Sequence, residues 1–146
     1  MPKKREFTSN DRALLIKQAM TWLQVPYVLG GQDRNGIGCS NFVSKVFLET
    51  LGIRLIPWTD WLFLNLDVVP LENLQPADVV FFCKEPRPTR RLVTHVGLYV
   101  GDGQIIHSSS PPRQVSIQQI DDLGSTLRDS RERDLVELWL SEVCAP

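Results

Sequence analysis

The chain has 146 residues, 42% of them apolar and 23% charged, with a formal net charge of −1. That length suits one compact domain with its own core, and a near-neutral charge gives no basis for nucleic acid as a partner. No stretch approaches the roughly 18 apolar residues of a membrane span, no apolar segment follows the basic start as in a secretory signal, and the three cysteines lack the paired spacing of a disulfide framework or zinc knuckle.

In chain order, residues 1–7 read as a mobile basic lead-in. Ser9, Asn10 and Asp11 offer N-caps for a helix running to about Gln24, with Leu15, Ala19, Trp22 and Leu23 facing the core at helical spacing. Pro26 ends it, and Tyr27 to Gly38 is a loop punctuated by Gly30, Gly31, Gly36 and Gly38. A second helix is expected from Cys39 to Leu51, with Phe42, Val43, Val46, Phe47 and Leu51 inward and Gly52 as its stop. The segment from Pro57 to Leu66 suits a short helix over a groove, which Trp58, Trp61 and Phe63 could wall or could instead pack beneath.

After Pro76 the pattern changes to strands: Val79–Cys83, Thr94–Val100, Gln104–Ser108 and Leu135–Leu140. The basic run Arg87 to Arg91 is a solvated loop between the first two, and Lys3 to Arg5 a solvated tail. Asp121 to Arg133 is polar loop with at most a helical turn. Cys83 reads as a buried small hydrophobe and Cys144 as incidental. Helices first and strands afterwards give an α+β fold, one domain over residues 1–146.

Cys39 follows the glycine-rich loop and opens the second helix. The unpaired N–H groups and positive dipole end found there favour a thiolate and can hold a developing oxyanion. Position alone fits equally a small residue packed at a loop-to-helix junction. The chain has two histidines, His95 and His107, in strands joined by Gly101-Asp102-Gly103. A three-residue loop of type I turn plus G1 bulge pairs Val100 with Gln104, Gly97 with His107 and His95 with Ser109. The imidazoles then share a face as diagonal neighbours about 7–8 Å apart, and Gly97 leaves room for the rings. A two-residue loop would send them to opposite faces. A cysteine at a helix N-terminus, a histidine on a strand and a second histidine to orient the first follow the logic of a nucleophilic triad.

Three blocks then carry a resemblance. They are Pro26-Tyr27-Val28-Leu29-Gly30-Gly31 leading to Gly38-Cys39-Ser40-Asn41-Phe42-Val43, the strand Leu74-Gln75-Pro76-Ala77-Asp78-Val79-Val80-Phe81-Phe82, and His95-Val96-Gly97-Leu98-Tyr99-Val100-Gly101-Asp102-Gly103 continuing to Ile106-His107-Ser108. In order and spacing they resemble the NlpC-type cell-wall peptidases, a bacterial branch of the papain-like cysteine peptidases. The resemblance implies a papain-like fold with N-terminal helices packed on an antiparallel sheet. It implies Cys39 as nucleophile, His95 as base and His107 as the residue orienting it. Tyr27 would help hold the oxyanion or substrate, and Ser40 would lie at the substrate-binding edge.

The implied activity is hydrolysis of peptidoglycan peptides through a thioacyl-enzyme, typically at the γ-D-glutamyl–diamino acid bond, with no metal or other cofactor. Peptidoglycan or wall-derived peptides would be the partner, with an inhibitor or immunity protein besides if the chain is a delivered toxin. The substrate would lie outside the cytoplasm unless recycled wall peptides are used; the sequence gives neither compartment nor export route. Two positions depart from the family pattern. Its Asp before the nucleophile is Gly38, and its Gly two places after is Asn41. In members that require a free N-terminal L-Ala, that Asp binds the ammonium, a role Gly38 lacks and Asp33 on the same loop could take. Rival readings are an acyltransferase or thioesterase on a related scaffold, a zinc site from Cys39, His95 and His107, and a non-catalytic binding module.

Overall fold

In the computed structural model, which describes residues 6–69, 71–83, 93–110, 112–126 and 138–143, the first helix, α1, spans Ser9–Met20. Its cap is Thr8, one residue before the expected caps. The Thr8 hydroxyl accepts from the Asp11 N–H and the Asp11 carboxylate accepts from the Thr8 N–H, each at 3.0 Å, a reciprocal capping box. Phe7, expected to be part of a mobile lead-in, packs edge-on against Phe47 at 6.0 Å. The helix stops at Met20 rather than near Gln24, because the chain turns away to meet a strand. Gln24 takes φ +72 and its N–H donates to the Val115 carbonyl at 2.9 Å. Leu15, Ala19 and Trp22 are buried as expected, whereas Leu23, now beyond the helix, is exposed.

The glycine-rich loop contains a miniature hairpin, β1 (Gln32–Asp33) with β2 (Gly36–Ile37). A Cβ on Gly31 would collide with the Gly36 carbonyl, and one on Gly36 with the Val28 side chain, which is why this segment closes so tightly. Helix α2 covers Cys39–Leu51 as expected, burying Phe42, Val43, Val46 and Phe47. Gly52 ends it in the left-handed region at φ +68, a conformation glycine adopts without strain. A short α3 follows at Thr59–Asn65.

Among the described residues, six antiparallel strands form the sheet: β3 (Leu66–Val68), β4 (Val79–Cys83), β5 (Val93–Gly101), β6 (Gln104–Ser109), β7 (Gln114–Gln119) and β8 (Leu138–Val143), in the order β3-β8-β4-β5-β6-β7. A last helix, α4, spans Ile120–Thr126. Strands β3 and β7 were not expected from sequence. The first has three residues, and the second is a polar edge strand with Val115 buried. Strand β8 runs on to Val143 rather than ending at Leu140, residues 135–137 of its expected span lying outside the described residues, and α4 occupies the start of the segment expected to be loop with a helical turn. Lys3–Arg5, Arg87–Arg91, residues 127–133, Cys144 and the side chain of Cys83 lie outside the described residues.

Alternation along the strands divides the core in two. Phe81, Val96, Leu98, Ile106 and Val115 share one cluster with the apolar faces of α1 and α2. Val80, Phe82 and Ile105 share another with Val69 and with Leu123 of α4. Helices and antiparallel sheet thus build the α+β architecture anticipated from sequence, and the strand residues His95, Gly97 and Tyr99 alternate with the buried Val96 and Leu98.

Candidate active site

The β5–β6 hairpin turns through two residues rather than three. Asp102 (φ +54) and Gly103 (φ +73) both sit at positive φ, as a primed hairpin turn demands, and Gly101 pairs with Gln104. Alone, that turn would have put the histidines on opposite faces. A bulge between Tyr99 and Gly101 inserts one residue into β5 and restores the register to Tyr99 with Ile105 and Leu98 with Ile106. The expected register therefore holds beyond the bulge by a different route.

His95 and His107 consequently meet. Nε2 of His95 lies 2.6 Å from Nδ1 of His107, with ring centroids 4.9 Å apart and planes at 73°. His107 is fully buried and His95 nearly so. Gly97 makes the approach possible, because a Cβ there would stand 3.0 Å from the His107 Cβ and 2.9 Å from Cδ1 of Ile105. Phe82 flanks the His95 ring at 5.7 Å. With Nε2 of His95 engaged by His107, Nδ1 is the nitrogen left to take a proton from a nucleophile.

Cys39 opens α2 behind Gly38, an N-cap without a side-chain hydrogen bond. The first-turn N–H groups are thus not taken by a capping side chain, and the backbone amides of Val96, Ser40 and Cys39 act on the thiol in favour of its charged form. Val96 follows His95 on β5, so one of the amides that act on the thiol belongs to the strand carrying that histidine. Cys39 as a residue is neither fully buried nor exposed. Its loop is tied to the same end of the sheet. The Ser108 hydroxyl donates to the Ile37 carbonyl at 2.7 Å, Ile37 N–H donates to Pro26 O at 2.9 Å, and Tyr27 N–H to Arg113 O at 2.9 Å.

Burial sets the charge states. It pushes the Cys39 thiol up, against the opposing pull of the three N–H groups. It holds His95 well below its usual range, with His107 adding repulsion. His107 is lowered to about 4 by burial, partly opposed by its bond to Gln118. Burial thus favours the neutral thiol and the neutral imidazole, and it opposes the pull of the helix N-terminus toward a thiolate. Tyr27 is raised by burial first and by the nearby Cys39 second, which keeps its phenol protonated and able to donate.

Other residues singled out from sequence take plain positions. Ser40 Oγ donates to the Pro57 carbonyl at 2.7 Å and anchors the segment leading to Trp58. Trp58 is exposed, whereas Trp61 and Phe63 are half-buried against the core, Phe63 lying edge-on to Phe81 at 5.5 Å. The Asp33 carboxylate accepts from the Asn35 N–H at 2.9 Å and closes the small hairpin. Among the described residues, no group of three or more His, Cys, Asp and Glu is arranged to hold a metal ion. One residue was missed: Gln118, whose Oε1 lies 2.6 Å from Nε2 of His107. Its only signal was the alternation of Val115, Ser116, Ile117 and Gln118, too polar to mark β7 as a strand.

Comparison with known proteins adds independent findings. The sequence profile of the NlpC/P60 family matches residues 24–130. Murein DD-endopeptidase MepS/Murein LD-carboxypeptidase of Escherichia coli K12 is 34% identical over 99 residues, covering 68% of this chain and 50% of its own length. Gamma-DL-glutamyl hydrolase of Bacillus subtilis 168 is 32% identical over 96 residues, covering 65% of this chain and 22% of its own. The crystal structure of the NlpC/p60 domain of the peptidoglycan hydrolase SagA superposes with a TM-score of 0.70 at 22% identity, over 89% of this chain and 97% of that one, which shows a shared fold. The chain spans from 22% to 59% of the length of such curated relatives.

Proposed function

The chain belongs to the NlpC/P60 family of papain-like fold, and on that footing we propose that it is a cysteine hydrolase of peptidoglycan peptides. The observation that carries this is the 2.6 Å bond between His95 and His107, on the strand whose Val96 amide acts on the Cys39 thiol. Cys39 attacks the amide carbonyl as its proton passes to Nδ1 of His95. The tetrahedral oxyanion is met by the uncapped N–H of Cys39 and the Tyr27 hydroxyl. His95 then gives its proton to the leaving amine, and the C–N bond breaks to leave a thioacyl-enzyme. Water, deprotonated by His95, attacks the thioester; the acid departs and the proton returns to Cys39. His107 holds the ring of His95 in place throughout, and Ser40 lines the substrate edge through the Pro57–Trp58 segment it anchors.

The bond we assign is γ-D-glutamyl–diamino acid, supported by the relative whose name describes γ-glutamyl hydrolysis; the DD-endopeptidase relative marks the crosslink as the competing bond. Gly38 offers no carboxylate for a terminal ammonium, and Asp33 is engaged in its own hairpin turn, so we expect no strict requirement for a free amino terminus.

The test is digestion of purified peptidoglycan and of soluble stem peptides with free and blocked amines, products being identified by mass. Cleavage at the γ-D-glutamyl bond, lost in Cys39→Ala and insensitive to amine blocking, is the expected result. Cleavage of the D,D crosslink instead would move the bond. No cleavage by folded protein would overturn the substrate class.

A further inference from the structure

Gln118 stands half-buried on the edge strand β7, its Oε1 2.6 Å from Nε2 of His107. An amide oxygen accepts and never donates, so Nε2 of His107 carries the proton between them. A neutral imidazole has one N–H, which leaves Nδ1 of His107 bare and accepting. Its 2.6 Å partner, Nε2 of His95, is then the donor, and Nδ1 of His95 keeps its lone pair. Were the amide turned over, each step would reverse and Nδ1 of His95 would carry a hydrogen. Ser109 Oγ reaches the same Nε2 of His107 at 3.5 Å, but a hydroxyl both donates and accepts and so imposes no tautomer.

We propose that Gln118 is a positioning residue that fixes both histidines as their Nε2–H tautomers, so that the nitrogen facing the nucleophile is the basic one. The catalytic consequence rests on the Cys39–His95–His107 reading above; the tautomers themselves do not. The low proton affinity of both rings fits, since the relay requires them neutral. The titratable groups of the segment that leads into and opens α2, Tyr27 and Cys39, are likewise shifted towards their neutral forms.

With two histidines in the sequence, long-range proton–nitrogen NMR of the labelled full chain shows two ring patterns and assigns each tautomer directly. The wild type is expected to show both rings as Nε2–H at pH 7. Gln118→Leu, which removes the acceptor on an edge strand, should mix the tautomers and lower kcat on the cleaved wall peptide by roughly ten- to a hundredfold with KM little changed. Gln118→Glu keeps the acceptor and adds charge. It should retain the tautomers and raise the acid-limb pKa of kcat/KM by about one unit or more, a shift that a merely structural residue would not cause. A wild type with the hydrogen on Nδ1 of His95 overturns the proposal, as do unchanged tautomers in folded Gln118→Leu. If Gln118→Leu fails to fold, an acid limb in Gln118→Glu that stays at the wild-type value overturns it too. If the tautomers behave as expected but the wild type cleaves no wall peptide, the hydrolase reading fails while the role of Gln118 stands.

Discussion

At position 97 a Cβ would stand 3.0 Å from the Cβ of His107, closer than nearly all natural contacts, with the Ile106 carbonyl at 3.2 Å on another side. Gly97→Ala should therefore displace the His107 ring at an overpacking cost of about 1–3 kcal/mol, and lower kcat through the broken 2.6 Å bond to His95. Calorimetry beside steady-state kinetics separates the two effects. The depressed basicity of the histidines also sets the acid limb of the reaction. Since both rings are held below 6.5, kcat/KM should stay level as pH falls through 6.5 and fail only well below it, with the inflection belonging to the coupled pair. An inflection at or above 6.5 would mean that the rings are less buried than described. The sequence made the residue types legible here, because a cysteine opening a helix and two histidines flanking a turn are patterns of local spacing. It did not reveal the resting charge, since burial, which decides it, depends on what the rest of the chain lays over the site.

Among the elements, α1 reaches the sheet through a charge. Arg12, buried on an otherwise apolar face, donates to Asp78 at 2.7 Å and to the Pro76 carbonyl at 3.0 Å, while Asp78 also accepts from the Gln75 N–H. Removing one partner strands the other, so Asp78→Ala should cost about 3–5 kcal/mol in urea denaturation, and pairing it with Arg12→Met should recover much of that. Asp78 appeared in the sequence as part of a motif; the structure gives it this anchoring role. At the helix start, Thr8→Ala breaks half of a capping box and should cost about 1 kcal/mol. Helix α2 and strand β4 were legible to the residue because their signals are local: a glycine stop and an unbroken apolar run. The end of α1 was not, because Gln24 bends to bond Val115, a residue some ninety positions away in sequence that no local pattern announces. Strand β7 escaped for the same reason, its pairing with β6 being what makes a polar segment a strand.

For the molecule as a whole, the buried histidines couple folding to pH. His107 titrates near 4 folded but near 6.5 unfolded, so between those values the unfolded chain binds a proton that the folded one refuses. Its contribution is fully present above pH 6.5 and is lost progressively as pH falls towards 4. The loss is about 3 kcal/mol for His107, with His95 acting in the same direction. Denaturation midpoints from pH 7 to 4 should fall accordingly, and His107→Gln should flatten the slope. The sequence by itself determined the class of fold, the helix that Cys39 opens and the strands that carry the histidines, because periodicity and spacing are properties of neighbouring residues. It also gave the pairing register, though by an assumed three-residue turn. Tertiary structure alone decided that a two-residue turn and a bulge reach that same register, that Gln118 joins the histidines, and that burial opposes charge on them, because each depends on segments brought together across the sheet and on the water they exclude.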